Sequence, residues 1–185
     1  MSSYYDLDDI LAESQKFSGS FKIDVNDVGF LMNATPKSKI QTKDKVELPF
    51  WLVKILAQIF ISQDDENNPE TLFSVERPEY LSKLATNYYK ASPLHADLSV
   101  TSHFYKIVEK WCSFIDQPAL VDTVFEMLVA RVGKINDLSF NVSENHTREN
   151  SEFLMSLDAF EKELFKVSSE AYADSKSWLK STSKM

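Results

Sequence analysis

Two hydrophobic rhythms run along the chain, and they change over near residue 46. In residues 1–46 the apolar positions keep a period close to two. Phe21, Ile23 and Val25 alternate with Lys22 and Asp24, and Phe30 and Met32 repeat the beat after the turn signal Asn26-Asp27-Val28-Gly29. Such alternation predicts short strands. Ahead of them, Asp6-Leu7-Asp8-Asp9-Ile10-Leu11 sets carboxylates just before an apolar pair, where they can cap a short helix and favour its positive end. Asn33-Ala34-Thr35-Pro36 reads as a loop, and Lys37, Lys39, Lys43 and Lys45 surround Ile40 in a possible further strand. This stretch has few apolar residues for an independent fold.

From Leu48 onward the period is helical. Pro49, Pro78 and Pro118 each stand where a helical pattern begins, the place where a missing N–H costs nothing. The first helix, Pro49 to about Ile61, is apolar on nearly all sides through Phe50, Trp51, Leu52, Val53, Ile55, Leu56, Ile59 and Phe60, and so is expected to be central. Its Pro49, Trp51, Leu52, Ile55 and Leu56 are the expected core of a helix that links two domains. An acidic loop, Asp64 to Glu70, follows it. The second helix runs from Pro78 to about Lys90 with Tyr80, Leu81, Leu84, Ala85 and Tyr88 on one stripe, and Ser92-Pro93 breaks it. The third opens at Thr101 or Ser102 and spaces Phe104, Ile107, Val108, Trp111, Phe114 and Ile115 helically. The fourth, Pro118 to about Asn136, uses Val121, Val124, Phe125, Leu128, Val132 and Ile135. A polar, mobile loop is expected over Ser139–Asn150, and the last helix over about Ser151 to Leu179.

That last helix links Leu157, Phe160, Leu164, Val167 and Ala171 by alternating steps of three and four before Trp178 closes the series. The spacing is that of helix-on-helix packing, within the chain or with another chain. Large aromatics at a terminal helix tip need burial, so Leu157, Phe160, Leu164, Tyr172 and Trp178 are the expected partner contacts, with an internal core as the alternative for the first three.

Composition narrows the function classes. The 185 residues include only Gly19, Gly29 and Gly133, where average usage of roughly 7% gives about thirteen glycines. No glycine-rich loop can cradle a phosphate, which excludes Walker and Rossmann sites. A sandwich or barrel, with its many tight turns, is also excluded. With 43% apolar and 12% aromatic residues the chain reads as mainly α, a helical domain of about five helices at 47–185 preceded by a small β-rich domain at 1–46. Gly133 is the one glycine of the helical part, and its cost of about 1 kcal/mol inside a helix suggests the close approach of another helix.

Charge and cysteine sharpen this further. Lys plus Arg number 20 and Asp plus Glu 28, a net charge of −8 that phosphate backbones and anionic lipids repel. The lone Cys112 excludes an internal disulfide and points to a reducing compartment. Residues 1–16 lack a signal-peptide core, and Leu48–Ile61, interrupted by Lys54 and Gln58, is too short to span a bilayer. A soluble intracellular protein is expected, which makes the sequons at Asn141 and Asn145 chance matches.

Candidate chemistry is thin. His95 and Asp97 beside Ser92 and Ser99 resemble a triad only in residue type, crowded in one segment with no nucleophile elbow. His95, His103 and Cys112 lack the short-range spacing of a metal site. Asp6, Asp8 and Asp9 lack the glycine and glutamate of a calcium loop. No cofactor or catalytic residue is expected. Lys37, Lys39, Lys43 and Lys45 could touch nucleic acid, though a solvated strand face is the plainer reading in so acidic a chain. Composition and spacing favour an interaction protein over an enzyme.

Resemblance goes further, and four blocks of sequence carry it. Tyr4-Tyr5-Asp6-Leu7-Asp8-Asp9-Ile10-Leu11-Ala12 opens the chain, and Val46-Glu47-Leu48-Pro49-Phe50-Trp51-Leu52-Val53-Lys54-Ile55-Leu56 follows. Ala96-Asp97-Leu98 with Ser102-His103-Phe104-Tyr105 is the third block, and Leu157-x-x-Phe160-Glu161-Lys162-Glu163-Leu164-Phe165 with Trp178 the fourth. In order and content they resemble the motifs of the PSF-three subunit family of the GINS complex over nearly the whole chain. The loops at 64–76 and 139–150 match least, and Gly19–Phe30 matches in pattern more than in letters. The resemblance implies a non-catalytic scaffold of four subunits that joins the Mcm motor ring and the Cdc forty-five protein in the nuclear replicative helicase, where ATP hydrolysis belongs to the ring. It implies three sister subunits as partners, DNA met only indirectly and no membrane. The alternative is a direct nucleic-acid-binding module using Lys37–Lys45.

Overall fold

The computed structural model describes residues 5–32, 35, 37–42, 44–62, 70–140 and 147–182. By its internal contacts the chain divides into two compact units, Met1–Ser82 and Lys83–Met185.

In the first unit, helix α1 (Leu7–Glu13) starts at Asp6, whose Oδ1 accepts the N–H groups of Asp8 at 3.1 Å and Asp9 at 3.4 Å, so the expected acidic cap is present. Strand β1 (Lys16–Phe21) lies at the centre of a three-stranded antiparallel sheet, between β2 (Lys45–Pro49) and β5 (Phe73–Val75). Phe17, Gly19 and Phe21 form its buried face, opposite Leu48 and Val46 on one side and Phe73 on the other. Gly19 is required there, because a Cβ would fall inside the Phe73 ring and against the Ser74 carbonyl. The Phe21 and Phe73 rings meet edge to face at 5.1 Å. Helix α2 (Phe50–Leu56) leaves β2 directly, and β3 (Phe60–Ser62) pairs with β4 (Glu70–Thr71) as a small hairpin.

Several sequence expectations shift in this unit. The regular strand occupies residues 16–21, and Val25 makes only a single antiparallel bridge, with Ile40. Asp27 adopts φ 60°, which interrupts the extended run, and Gly29–Met32 becomes a 3₁₀ turn where a strand was expected. Helix α2 ends at Leu56 because the β-branched Ile59 and Ile61 and the aromatic Phe60 enter the hairpin. The helix lies within the first unit, its Phe50 N–H donating to the Gln15 carbonyl at 2.9 Å and its Phe50 ring 5.1 Å from that of Phe17. Phe50 and Val53 are the buried pair, while Trp51 and Ile55 are exposed and Leu52 and Leu56 half-buried. The unit runs to Ser82, past the 46/47 boundary read from sequence, because β5 completes the sheet begun by β1. The expected loop 64–70 and the Asn33-Ala34-Pro36 positions lie outside the described residues, apart from Glu70, which begins β4.

The second unit is helical, and the fold as a whole is mainly α. Helices α3 (Lys83–Ala91), α4 (Phe104–Phe114) and α7 (Ala159–Thr182) pack on the long α5 (Pro118–Phe140), and α6 (Arg148–Met155) adds Phe153 to its far end. Helix α4 buries the predicted Phe104, Ile107, Val108 and Trp111. Three differences stand out. Pro78 opens only a single turn, since Ser82 is extended, and α3 begins afresh at Lys83 with Tyr89 buried and Leu84 exposed. Residues 139–140 finish α5 and 148–150 begin α6, which leaves 141–146, with both sequon asparagines, outside the described residues. The expected helix 151–179 is two helices, broken at Ser156–Asp158.

Candidate protein interaction surface

Helix α5 has two contrasting faces, and its inner one holds a charge. Leu120, Thr123, Val124, Met127, Arg131, Ile135 and Leu138 point into the unit. Of the expected core stripe only Val124 and Ile135 are fully buried, since Val121 and Phe125 are exposed and Leu128 and Val132 half-buried. Arg131, at 0% exposure, lies on the inward face with its partner. Its Nε donates to Glu161 Oε1 at 2.7 Å and its Nη2 to Oε2 at 2.9 Å, a two-pronged pair with both side chains fully buried. Nη1 donates to the carbonyls of Pro93 at 3.2 Å and Ala96 at 2.9 Å, and Nη2 also to Ser156 O at 3.4 Å. One guanidinium thus gathers three separate segments of the unit. The Phe153 ring covers it 4.9 Å away.

Glu161 has two further duties. Its Oε1 accepts the Tyr105 hydroxyl at 2.7 Å, tying α4 to α7. Its backbone N–H donates to Asp158 Oδ1 at 2.8 Å while its Oε2 accepts the Asp158 N–H at 3.4 Å, the reciprocal bonding of a capping box. Burial and then the Glu161 charge push the Tyr105 hydroxyl pKa well above the usual phenol range. Asp158 is pushed up to about 6, first by burial and opposed by a backbone hydrogen bond from Glu161. Charge repulsion from Glu161 adds to the rise, and Arg131 opposes it. The D-x-x-E signature of this cap stood in the sequence at Asp158 and Glu161, but the continuous 3-4 spacing across it read as one helix.

The outer face of α5 is apolar. Val121, Phe125 and Val129 are exposed at intervals of four, Phe125 at 64%. Gly133 continues the same row, and a Cβ there would meet nothing within 4 Å. Among the described residues no helix approaches it within that distance, so the close contact suggested by its cost in a helix would have to come from outside them.

The residues expected to meet a partner separate into two groups. Leu157 is buried beside Ile135, Leu138 and Phe153 and belongs to the core, with Leu164 packed partly against that cluster. Phe160 and Trp178 are exposed, Trp178 at 66%, as are Val167 and Leu179 on the same helix. Tyr172 is half-buried with its ring edge-on to that of Phe140, the last residue of α5, at 5.0 Å. Val121, Phe125 and Val129 were in the sequence as apolar positions, and only the placement of Arg131 shows them to be external.

The remaining candidates resolve into local structure. Asp97 accepts the N–H of Ser99 at 3.0 Å and its hydroxyl at 2.6 Å, which makes a turn of the segment considered as a triad. Burial pushes the Cys112 thiol above its ordinary pKa, the wrong direction for a nucleophile. Among the described residues no group of three His, Cys, Asp or Glu could hold a metal ion. No helix is long and apolar enough to cross a membrane among those residues. In the basic stretch Lys39 pairs with Asp24 at 2.7 Å and Lys45 with Glu76 at 2.8 Å, and Lys43 lies outside the described residues. Two of its charges are therefore met by carboxylates of the same unit.

Comparison with known proteins fits this picture of an interaction module. The family model described as "PSF3 N-terminal domain" matches residues 5–58, and the "GINS complex protein helical bundle domain" matches residues 61–180. The DNA replication complex GINS protein PSF3 of Debaryomyces hansenii is 36% identical over 97% of this chain and 98% of its own length. The protein of that name from Candida albicans is 36% identical over 96% of this chain and 97% of its own, and that from Saccharomyces cerevisiae 32% identical over 95% and 97%. With both family models matching in order and the relatives aligned nearly end to end, the chain belongs to the PSF3 family of GINS DNA-replication subunits.

Proposed function

We propose that this chain is a non-catalytic scaffold subunit of a nuclear, four-subunit GINS complex, which joins the Mcm ring and the Cdc forty-five protein in the replicative helicase. Its direct partners are the three sister subunits, and it meets DNA only through the assembly. The observation that carries the reading is the outer face of α5, where Val121, Phe125 and Val129 lie in a row that ends at the open backbone of Gly133. A monomer gains nothing from a greasy stripe with a space for another helix, whereas a subunit buries it on assembly. The exposed Phe160, Val167, Trp178 and Leu179 of α7 are a second contact region in this reading. The net charge of −8 keeps such a scaffold from adhering to the nucleic acid around it. Sister-subunit contacts are assigned to Phe160, Tyr172 and Trp178 together with Val121, Phe125, Val129 and Gly133.

Co-expression with three sister subunits tests this directly. The expected product is an equimolar complex, with the chain alone poorly soluble. A monodisperse monomer that ignores the sister subunits overturns the reading.

A further inference from the structure

The break between α6 and α7 is explained only in part by its own residues. From Arg148 to Thr182 the described chain holds neither Pro nor Gly, and one apolar seam, Phe153, Leu157, Phe160, Leu164, Val167 and Ala171, steps four and three straight through the break. Apolar spacing and the lack of helix breakers therefore allow one helix. What opposes it comes largely from elsewhere in the unit. In a continuous helix the Ser156 carbonyl would accept the Phe160 N–H, but here it accepts the Leu98 N–H at 2.9 Å and Arg131 Nη2 at 3.4 Å. The Ala159 N–H would donate to Met155, but donates to the Ser102 carbonyl at 2.9 Å. The local contributions are the Ser156 N–H and hydroxyl, which donate to the Phe153 carbonyl at 3.0 and 2.7 Å, and the Asp158–Glu161 cap, whose Glu161 is itself held by Arg131 and Tyr105.

We propose that this bend is conditional: the Arg131–Glu161 clasp holds it, and with the clasp undone residues 148–182 form one continuous helix that lifts Phe153 away from Ile135 and Leu138. The unit thereby contains a two-state element. One state folds α6 over the end of α5, and the other bares that apolar patch and lengthens α7 toward its N-terminus. Small changes at the clasp are amplified because the two hydrogen-bonding schemes of Ser156 and Ala159 exclude one another.

Electron spin resonance distance measurement on the full chain, alone or in its co-purified assembly, tests the proposal. Labels replace the exposed Arg148 and Lys166 in a Cys112→Ser background. Eighteen residues of continuous helix separate these positions by about 27 Å, and a bend shortens that distance. The parent is expected below this value. The double variant Arg131→Met/Glu161→Leu, which removes both charges so that neither is stranded, is expected to shift to about 27 Å. A folded double variant that keeps the parent distance overturns the proposal, as does a parent already at the long distance. If the double variant does not fold, Glu161→Gln decides, since it keeps the size of the side chain and leaves Asp158 in place but removes the charge that Arg131 clasps. A second population at the long distance then supports the conditional bend, and a single unchanged distance refutes it.

Discussion

The two faces of α5 reverse the usual arrangement of a surface helix. Its inner face carries an arginine at the centre, and its outer face carries valines and a phenylalanine. Each face is explained by what it meets. Arg131 can be buried because Glu161 and three backbone carbonyls use its donors, so the inner face is complete within the chain. The outer face has no such completion, and Gly133 leaves its backbone open. Buried ion pairs are a weak source of stability but costly to break, whereas apolar stripes gain only when covered. The inner face thus fixes how the unit folds, and the outer face is the one proposed to meet a partner.

The sharpest test of this division is Arg131→Met. It strands the Glu161 carboxylate in the core and is expected to cost about 3–5 kcal/mol in chemical unfolding, with Arg131→Met/Glu161→Leu recovering part of the loss. Equal stability of the single variant and the parent would mean that the inner face does not depend on the clasp. On the outer face, Phe125→Asp should weaken assembly with sister subunits by about 30-fold or more while leaving the chain's own unfolding within about 0.5 kcal/mol. Size-exclusion chromatography of co-expressed subunits reads the first quantity and denaturant titration the second. Gly133→Leu should separate the faces in the same direction. Relief of the glycine penalty stabilises α5 by about 1 kcal/mol or less, yet the added side chain obstructs a helix approaching that row. Unchanged assembly would remove Gly133 from the interface.

The smallest effect is a pH dependence on the inner face. The Asp158 carboxyl lies at about 6 in the fold against 3.8 in the open chain. The native state therefore binds more protons in between, and stability from this group is greatest below pH 4, falls as pH rises toward 6 and is constant above it. Asp158→Asn keeps a capping side chain without the charge, so hydrogen exchange of residues 153–162 should lose the wild-type weakening between pH 4 and 6. A variant with the parent's slope would place the titration elsewhere.

Much of the helical unit was legible in sequence. Pro118 marks the start of α5, and Phe104, Ile107, Val108 and Trp111 form the buried stripe their spacing predicts. Hydrophobic periodicity failed where polar residues decide the orientation. It ranked Phe125 and Val121 as core because it cannot count Arg131 as an inward residue, and it ran one helix through Asp158 because the seam does not pause there. Ion-pair partners separated by 30 positions, as Arg131 and Glu161 are, leave no periodic trace. In the first unit, alternation gave Phe21 its correct face but set the strand too late, since Gly19 interrupts the apolar run of Phe17 to Phe21 at a position that is buried against Phe73. For the interface, exposed apolar residues became visible only once the inner face was known.

The sheet order β2-β1-β5 also bears on how this protein can be divided. The match to the PSF3 N-terminal domain stops at residue 58, yet β1 takes its second partner from Phe73–Val75. A fragment ending at 58 would leave one edge of β1 without hydrogen-bonding partners and Phe21 without the ring against it, a template for pairing with another copy. During synthesis the same edge waits open until residue 75 has left the ribosome. Where the chain can be cut, and when its first sheet can close, are both set by a three-residue strand outside the conventional limits of its domain.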